Sequence, residues 1–263
     1  MHAFLTLHHL GPLQLGLIFA AAFAAGVLDA IAGGGGLITT PVLMLMLPGV
    51  PVTGALATTK VSSIAGTTGA ALAYARRVEL RPRILIPGML AALPSAWFGA
   101  RAVSHLDPAV IKPAILGVLI AMALYTWWRP ELGLLRGKAP GRRIEPWAAA
   151  AVGSALGFYD GFLGPGTGSL LVLAFIVLFG RDFLGASAQA KFFNWASNLG
   201  ALLWFAPSGS VLWVLAVPMA ACNLLGGVIG SRLAIRSGNR WIRRIFLAVV
   251  LALIARLGWN LYG

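Results

Sequence analysis

Apolar runs near the length a helix needs to cross a bilayer, about twenty residues for roughly 30 Å of hydrocarbon, follow one another along almost the whole chain. Broken at glycines, prolines and charge clusters, they fall at 13–32, 36–48, 53–75, 84–103 and 109–128, then at 147–163, 167–180, 184–206, 211–231 and 241–261. No stretch of more than about twenty residues is left between them for a soluble domain. The chain is 59% hydrophobic and 10% charged, where a soluble domain is about 45–50% apolar. The expected fold is an all-α polytopic membrane protein with about eight to ten membrane segments in one domain.

The formal charge of +13 is not a nucleic-acid signature, because the bases collect in short loops between apolar runs, where they report topology. The lone Cys222 excludes an intramolecular disulfide. The first run has no Lys or Arg ahead of it, so it reads as a first span rather than a cleaved signal peptide.

The second five segments align on the first five at a constant offset of 131 residues. Asp29 falls on Asp160, Lys60 on Lys191, Pro87 on Pro218 and Arg101 on Arg232, with Gly26, Gly33, Gly35, Gly54, Gly69 and Gly99 falling on Gly157, Gly164, Gly166, Gly185, Gly200 and Gly230. The weight rests on the Asp, Lys, Pro and Arg pairs, since Gly matches are common in such a composition. The reading is a first repeat at 13–128, a basic linker at 129–146 and a second repeat at 147–263.

Loop charge orients the repeats. Arg76, Arg77, Arg81 and Arg83 follow the third segment of the first half, whereas the matching loop of the second half, APSGS at 206–210, is uncharged. The bases Arg232, Arg236, Arg240, Arg243 and Arg244 lie between the last two segments of the second half, and the linker adds five more. These loops define one side, cytoplasmic by the positive-inside rule, and the halves are expected to be inverted. Tryptophans at segment ends, Trp97, Trp127, Trp128, Trp147, Trp241 and Trp259, fit an aromatic belt.

Three features place a candidate site. AIAGGGGLITTP (30–41) and FLGPGTGSL (162–170) are glycine-rich turns running into short apolar segments. Gly34, Gly35, Gly166 and Thr167 there expose backbone N–H groups at a helix start, a setting for an anion, or else simply make a tight hairpin. Lys60 and Lys191 stand near mid-depth, where a charge costs about 2.5–3.5 kcal/mol on insertion scales and calls for a partner or a wet cavity. Ser63 and Thr67 share the face of Lys60, at i+3 and i+7, as Asn194 and Asn198 share that of Lys191, with Thr59 and Gln189 close in sequence. Together they read as the lining of an anion pathway, the alternative being lysines that snorkel or serve only as structural salt bridges. Asp29 and Asp160, four residues before each glycine turn, are the lysines' partners, proton carriers or hydrogen-bonding turn residues; the sequence leaves these alternatives open.

AGVLDAIAGGGGLITTPVLMLM followed by GALATTKVSSIAGTTGA, with the weaker copy ALGFYDGFLGPGTGSLLV and GASAQAKFFNWASNLGALLWF, resembles the sulfite exporter TauE/SafE family of membrane permeases. The resemblance covers nearly the whole chain. It implies transport of sulfur-containing anions such as sulfite, thiosulfate or organosulfonates across the cytoplasmic membrane, coupled to a proton or ion gradient, in a fold of about eight spans.

The combined expectation is a secondary transporter working by alternating access between inverted repeats with broken or re-entrant helices. Its partners would be a small anion and the lipid bilayer, with no nucleic acid; a homodimer is open to it through small residues along the spans. The alternative is an anion channel with a Lys-lined pore. An enzyme is disfavoured, because His2, His8, His9 and His105 lie near segment ends and no Ser–His or clustered carboxylate set appears. Cys and His are too scarce for a metal transporter, no Walker motif is present, and no cofactor is called for.

Overall fold

The computed structural model describes residues 11–47, 49–104, 128 and 141–262. The described residues form helices without strands: α1 (Pro12–Ala32), α2 (Gly36–Met46), α3 (Val52–Ala75), α4 (Pro82–Val103), α5 (Glu145–Phe162), α6 (Thr167–Phe179), α7 (Phe183–Phe205) and α8 (Trp213–Tyr262). The segment expected at 109–128, apart from Trp128, and the linker 129–146 up to residue 140 lie outside the described residues, as do the four histidines.

Three of these helices are long and apolar enough to cross a membrane: Pro12–Ala32, Pro82–Val103 and the first part of α8, Trp213–Gly238. The helices α2 and α6 have only 11 and 13 residues, about 16 and 20 Å at 1.5 Å per residue. Both fall short of about 30 Å of hydrocarbon, so the segments expected at 36–48 and 167–180 are too short to cross it alone as straight helices. The two last expected segments are joined in α8, which breaks at Gly238 (φ 76°, ψ 178°).

Small residues set the helix packing. Along α5, Gly153, Gly157 and Gly161 face the backbone of α4: a Cβ at Gly153 would overlap Gly88 O, one at Gly161 would overlap Ala96 O, and one at Gly157 would lie 2.6 Å from Ala92 O. Such spacing lets helix backbones touch, which is how helices associate where lipid removes the hydrophobic drive. The α1–α8 pair repeats the device, with Gly26 against Asn223 O, Gly226 against Phe23 O and Gly230 against Val27 O. Several of these contacts recur at the offset of 131 residues: Gly26–Asn223 with Gly157–Ala92, Gly230–Val27 with Gly99–Phe158, and Gly69–Leu224 with Gly200–Leu93.

The largest buried cluster gathers Phe175, Phe179, Phe183 and Phe193 with Tyr74, Ile84 and Ile31. It lies where α6 and α7 meet α1, α3 and α4, next to the polar centre described below. At one end of the bundle Arg81 pairs with Glu145 at 3.2 Å, tying the start of α4 to that of α5. Arg101 lies 5.8 Å from the ring centroids of both Trp97 and Trp204.

The glycine contacts yield a stability prediction. Gly161→Leu should force α4 and α5 apart, an overpacking cost of about 1–3 kcal/mol or more, seen as a lower thermal midpoint of the purified protein in detergent. Gly141→Ala, whose added carbon would meet nothing within 4 Å, should leave the midpoint unchanged.

Candidate functional site: two crossed ion pairs between glycine turns

Lys60 is the ninth residue of α3 and Lys191 the ninth of α7. Each reaches the aspartate of the opposite half. Lys60 Nζ is 3.0 Å from Asp160 Oδ1 and donates to Asp160 O at 2.7 Å. Lys191 Nζ is 2.8 Å from Asp29 Oδ2 and donates also to Asp29 O. The arrangement is crossed and internally matched, since both members of one pair lie 131 residues beyond the equivalent members of the other.

The aspartates occupy the last turns of α1 and α5, where a helix leaves four carbonyls without an intrahelical partner and carries partial negative charge. An ammonium placed there meets a carboxylate, a bare carbonyl and the favourable end of a helix dipole together. In α1 the accounting is complete. Asp29 O accepts from Gly33 N and Lys191 Nζ, Ala30 O from Tyr74 Oη, Ile31 O from Ser187 Oγ and Ala32 O from Ser169 Oγ. In hydrocarbon an unmet carbonyl costs several kcal/mol, so these hydroxyls hold the helix end in place.

Beyond each aspartate the chain reverses on a glycine with positive φ, Gly33 at 78° and Gly164 at 81°, a region L side chains rarely adopt. The close fit reinforces the requirement: a Cβ at Gly33 would overlap Gly168, and one at Gly164 would stand 3.1 Å from Lys60 Nζ. The turns feed α2 and α6, and Gly35 N donates to Asp29 Oδ1 at 3.3 Å.

A small polar cavity lies between the turns. Its free space for a water-sized sphere is about 20 Å³, and its wall includes Asp29, Asp160, Lys60, Thr59, Ser63, Asn194, Asn198, Gly34, Gly35 and Gly166. Not all of the residues expected on the pathway reach it. Lys191 is fully buried against Asp29, Thr67 Oγ1 donates to the carbonyls of Ser63 and Ile64, Gln189 Nε2 is directed to Gly185 O, and Thr167 Oγ1 donates to Gly164 O. None of these four lines the cavity. The i, i+3, i+7 face is divided: on α3 Lys60 and Ser63 reach the cavity and Thr67 does not, whereas on α7 Asn194 and Asn198 reach it and Lys191 does not.

Sequence reasoning missed Ser197, whose Oγ donates to Asp160 Oδ2 at 2.6 Å, as well as Thr40, Gly164 and Gly168 on the cavity wall. Ser197 lies three residues from Asn194 and was open to the same helical spacing. Its equivalent in the first half is Gly66, packed against the Asn223 side chain, so the halves differ here. Asp29 has no such hydroxyl and its side chain is 13% exposed, against 3% for Asp160. Asn198 Nδ2 donates to Asn194 O at 2.6 Å and Asn194 Oδ1 at 3.0 Å, which orients both amides at the cavity.

An apolar helical bundle with broken segments and charged groups enclosed at its centre is the build of a membrane transporter. The family model described as Sulfite exporter TauE/SafE matches residues 18–257, and the chain belongs to that family. It is 37% identical over 244 residues to a probable membrane transporter protein, ORF9, of Sinorhizobium sp, covering 92% of each chain. It is 36% identical over 267 residues to the probable membrane transporter protein YfcA of Escherichia coli K12, covering 100% of this chain and 96% of that one. A probable membrane transporter protein of Haemophilus influenzae is 32% identical over 249 residues, with 93% and 96% covered. The protein is thus a membrane transporter rather than an enzyme.

The ion pairs support a double-mutant prediction. Lys60→Met strands the Asp160 carboxylate in the interior, and removing one partner of a buried pair costs about 3–5 kcal/mol. Lys60→Met combined with Asp160→Asn should recover most of that loss. Denaturant unfolding of the single and double variants in micelles measures both.

Proposed function

We propose that the protein is a secondary transporter that moves a small sulfur-containing anion, such as sulfite, thiosulfate or an organosulfonate, across the cytoplasmic membrane by alternating access coupled to protons. The observation that carries the reading is the pair of crossed Lys–Asp bridges at a polar cavity between two glycine turns. The family supplies the substrate class.

Two lysines and two aspartates leave the centre with no net charge. An anion therefore gains an ammonium only when a carboxylate gives one up. Protonation of the carboxylate does this: the proton cancels the charge that held the lysine, and the anion takes its place. With one proton bound per negative charge of the anion, one for a monoanion and one on each aspartate for a dianion such as thiosulfate, the centre remains neutral in either state, which keeps the cost of a buried charge low while the halves move. Asp29 and Asp160 are the proton acceptors in this scheme, and Lys60 and Lys191 neutralise the anion. Ser63, Asn194 and Asn198 offer donors to its oxygens, with backbone N–H groups added from Gly34 and Gly166, and from Gly35 once its bond to Asp29 Oδ1 is released.

A cavity of about 20 Å³ holds about one water, so loading a sulfur oxyanion requires the halves to part. The recurrence of helix contacts at the offset of 131 residues supports rocking between two like units, and short α2 and α6 supply the broken helices such transporters use. A centre this narrow favours a carrier over a pore.

The test is flux of sulfite, thiosulfate and sulfoacetate in proteoliposomes with an imposed pH gradient. Saturable uptake that follows the gradient is expected, with Lys60→Ala and Lys191→Ala each losing at least about tenfold, or about 1.4 kcal/mol. Asp29→Asn and Asp160→Asn should lose dependence on the gradient. Undiminished flux in both lysine variants would overturn their role, and unitary currents in planar bilayers would replace the carrier by a channel.

A further inference from the structure

A second recess lies on the outside of the bundle. It is a groove of about 1000 Å³ between α3 and α8, well away from the residues of the central cavity. Its walls are apolar: Leu72 and Leu225 are each 60% exposed and Ile229 is 43% exposed. One end carries Arg76, Arg77, Arg232 and Arg236, and among the described residues no acidic side chain lines it. The helices run parallel here. Ser62 meets Met219, Gly66 meets Asn223 and Gly69 meets Leu224 and Val228, so the C-terminal end of α3 reaches the level of the α8 arginines.

We propose that this groove is a binding site for an anionic phospholipid of the cytoplasmic leaflet. The chemistry is split along the groove as such a lipid is split along its length, with hydrocarbon against leucine and isoleucine and a phosphate among four guanidinium groups. Guanidinium suits phosphate because its planar donors bond two oxygens at once. Arg76 and Arg77 belong to the basic side that the positive-inside rule assigns to the cytoplasm, the side where basic pockets between helices meet anionic headgroups. Among the described residues no carboxylate in the lining neutralises the four arginines, which gives the groove its preference for an anion. The proposal rests on the membrane placement and sidedness of the helices and not on which anion is carried.

The test is native mass spectrometry of the delipidated full chain in non-ionic detergent, titrated with phosphatidylglycerol and with phosphatidylcholine of the same acyl chains. Retention of phosphatidylglycerol should exceed that of phosphatidylcholine several-fold. The preference should vanish in R76Q/R77Q/R232Q/R236Q and persist in R83Q/R244Q, which removes two bases outside the groove. Leu225→Trp, which fills the apolar part, should weaken retention of both lipids; it also serves if the quadruple variant fails to fold. Equal retention of the two lipids, or equal loss in R83Q/R244Q, overturns the proposal. So does competition by free glycerophosphate, which would mark a site for soluble anions. A dimer that Leu225→Trp dissociates, or a disulfide in the Cys222→Ser background between Leu225→Cys and a cysteine placed within 109–128, would assign the groove to a second copy or to the chain itself and equally overturn it. Lipid retention is read without transport, so it stands or falls separately from the flux assay.

Discussion

The rest of the molecule is arranged around the exchange of charge between its halves. Each ammonium crosses to the other half and takes there both the carboxylate and the main-chain carbonyl of a helix-terminal aspartate. A buried lysine without a partner would be expelled from hydrocarbon or neutralised, and an aspartate likewise. Because each half supplies one cation and one anion to the other, neither half is electrically complete alone. The bundle is a fold in which association of the halves and burial of the charges are one event.

The crossed pairs depend on helices that end inside the bundle. A continuous helix has no free carbonyl to offer an ammonium, whereas α1 and α5 end beside their aspartates and expose them. Ending a helix there is tolerable only if every exposed carbonyl is met, and in α1 one tyrosine, two serines, a lysine and a backbone amide meet them. The glycines follow from this. The chain must turn within a few residues, packed against the Gly168 backbone at Gly33 and against the Lys60 ammonium at Gly164, and both glycines take positive φ.

Much of this could be read from the residues. Membrane-length apolar runs, the glycine turns, mid-depth lysines and the aspartates before the turns were all visible, because each is costly in an apolar chain and so conspicuous. That Asp29 and Asp160 are the lysines' partners was one reading among several, and the exchange between halves was hidden: spacing within a helix says which residues share a face but not which helix that face meets. The same limit explains Lys191, Thr67, Gln189 and Thr167, polar residues on expected faces that other contacts absorb. Ser197 escaped notice because its counterpart is Gly66, and a comparison of repeats draws the eye to what the halves share.

The hydroxyls at the end of α1 have a mechanical consequence. Ser169 and Ser187, on α6 and α7, are fastened to Ala32 and Ile31 in a place with no water to take over those bonds. Any relative motion of the two units that preserves them must turn about this seam. Displacement about it would be smallest at the fastening and grow with distance, so a slight tilt near the charges would part the ends of the long helices widely.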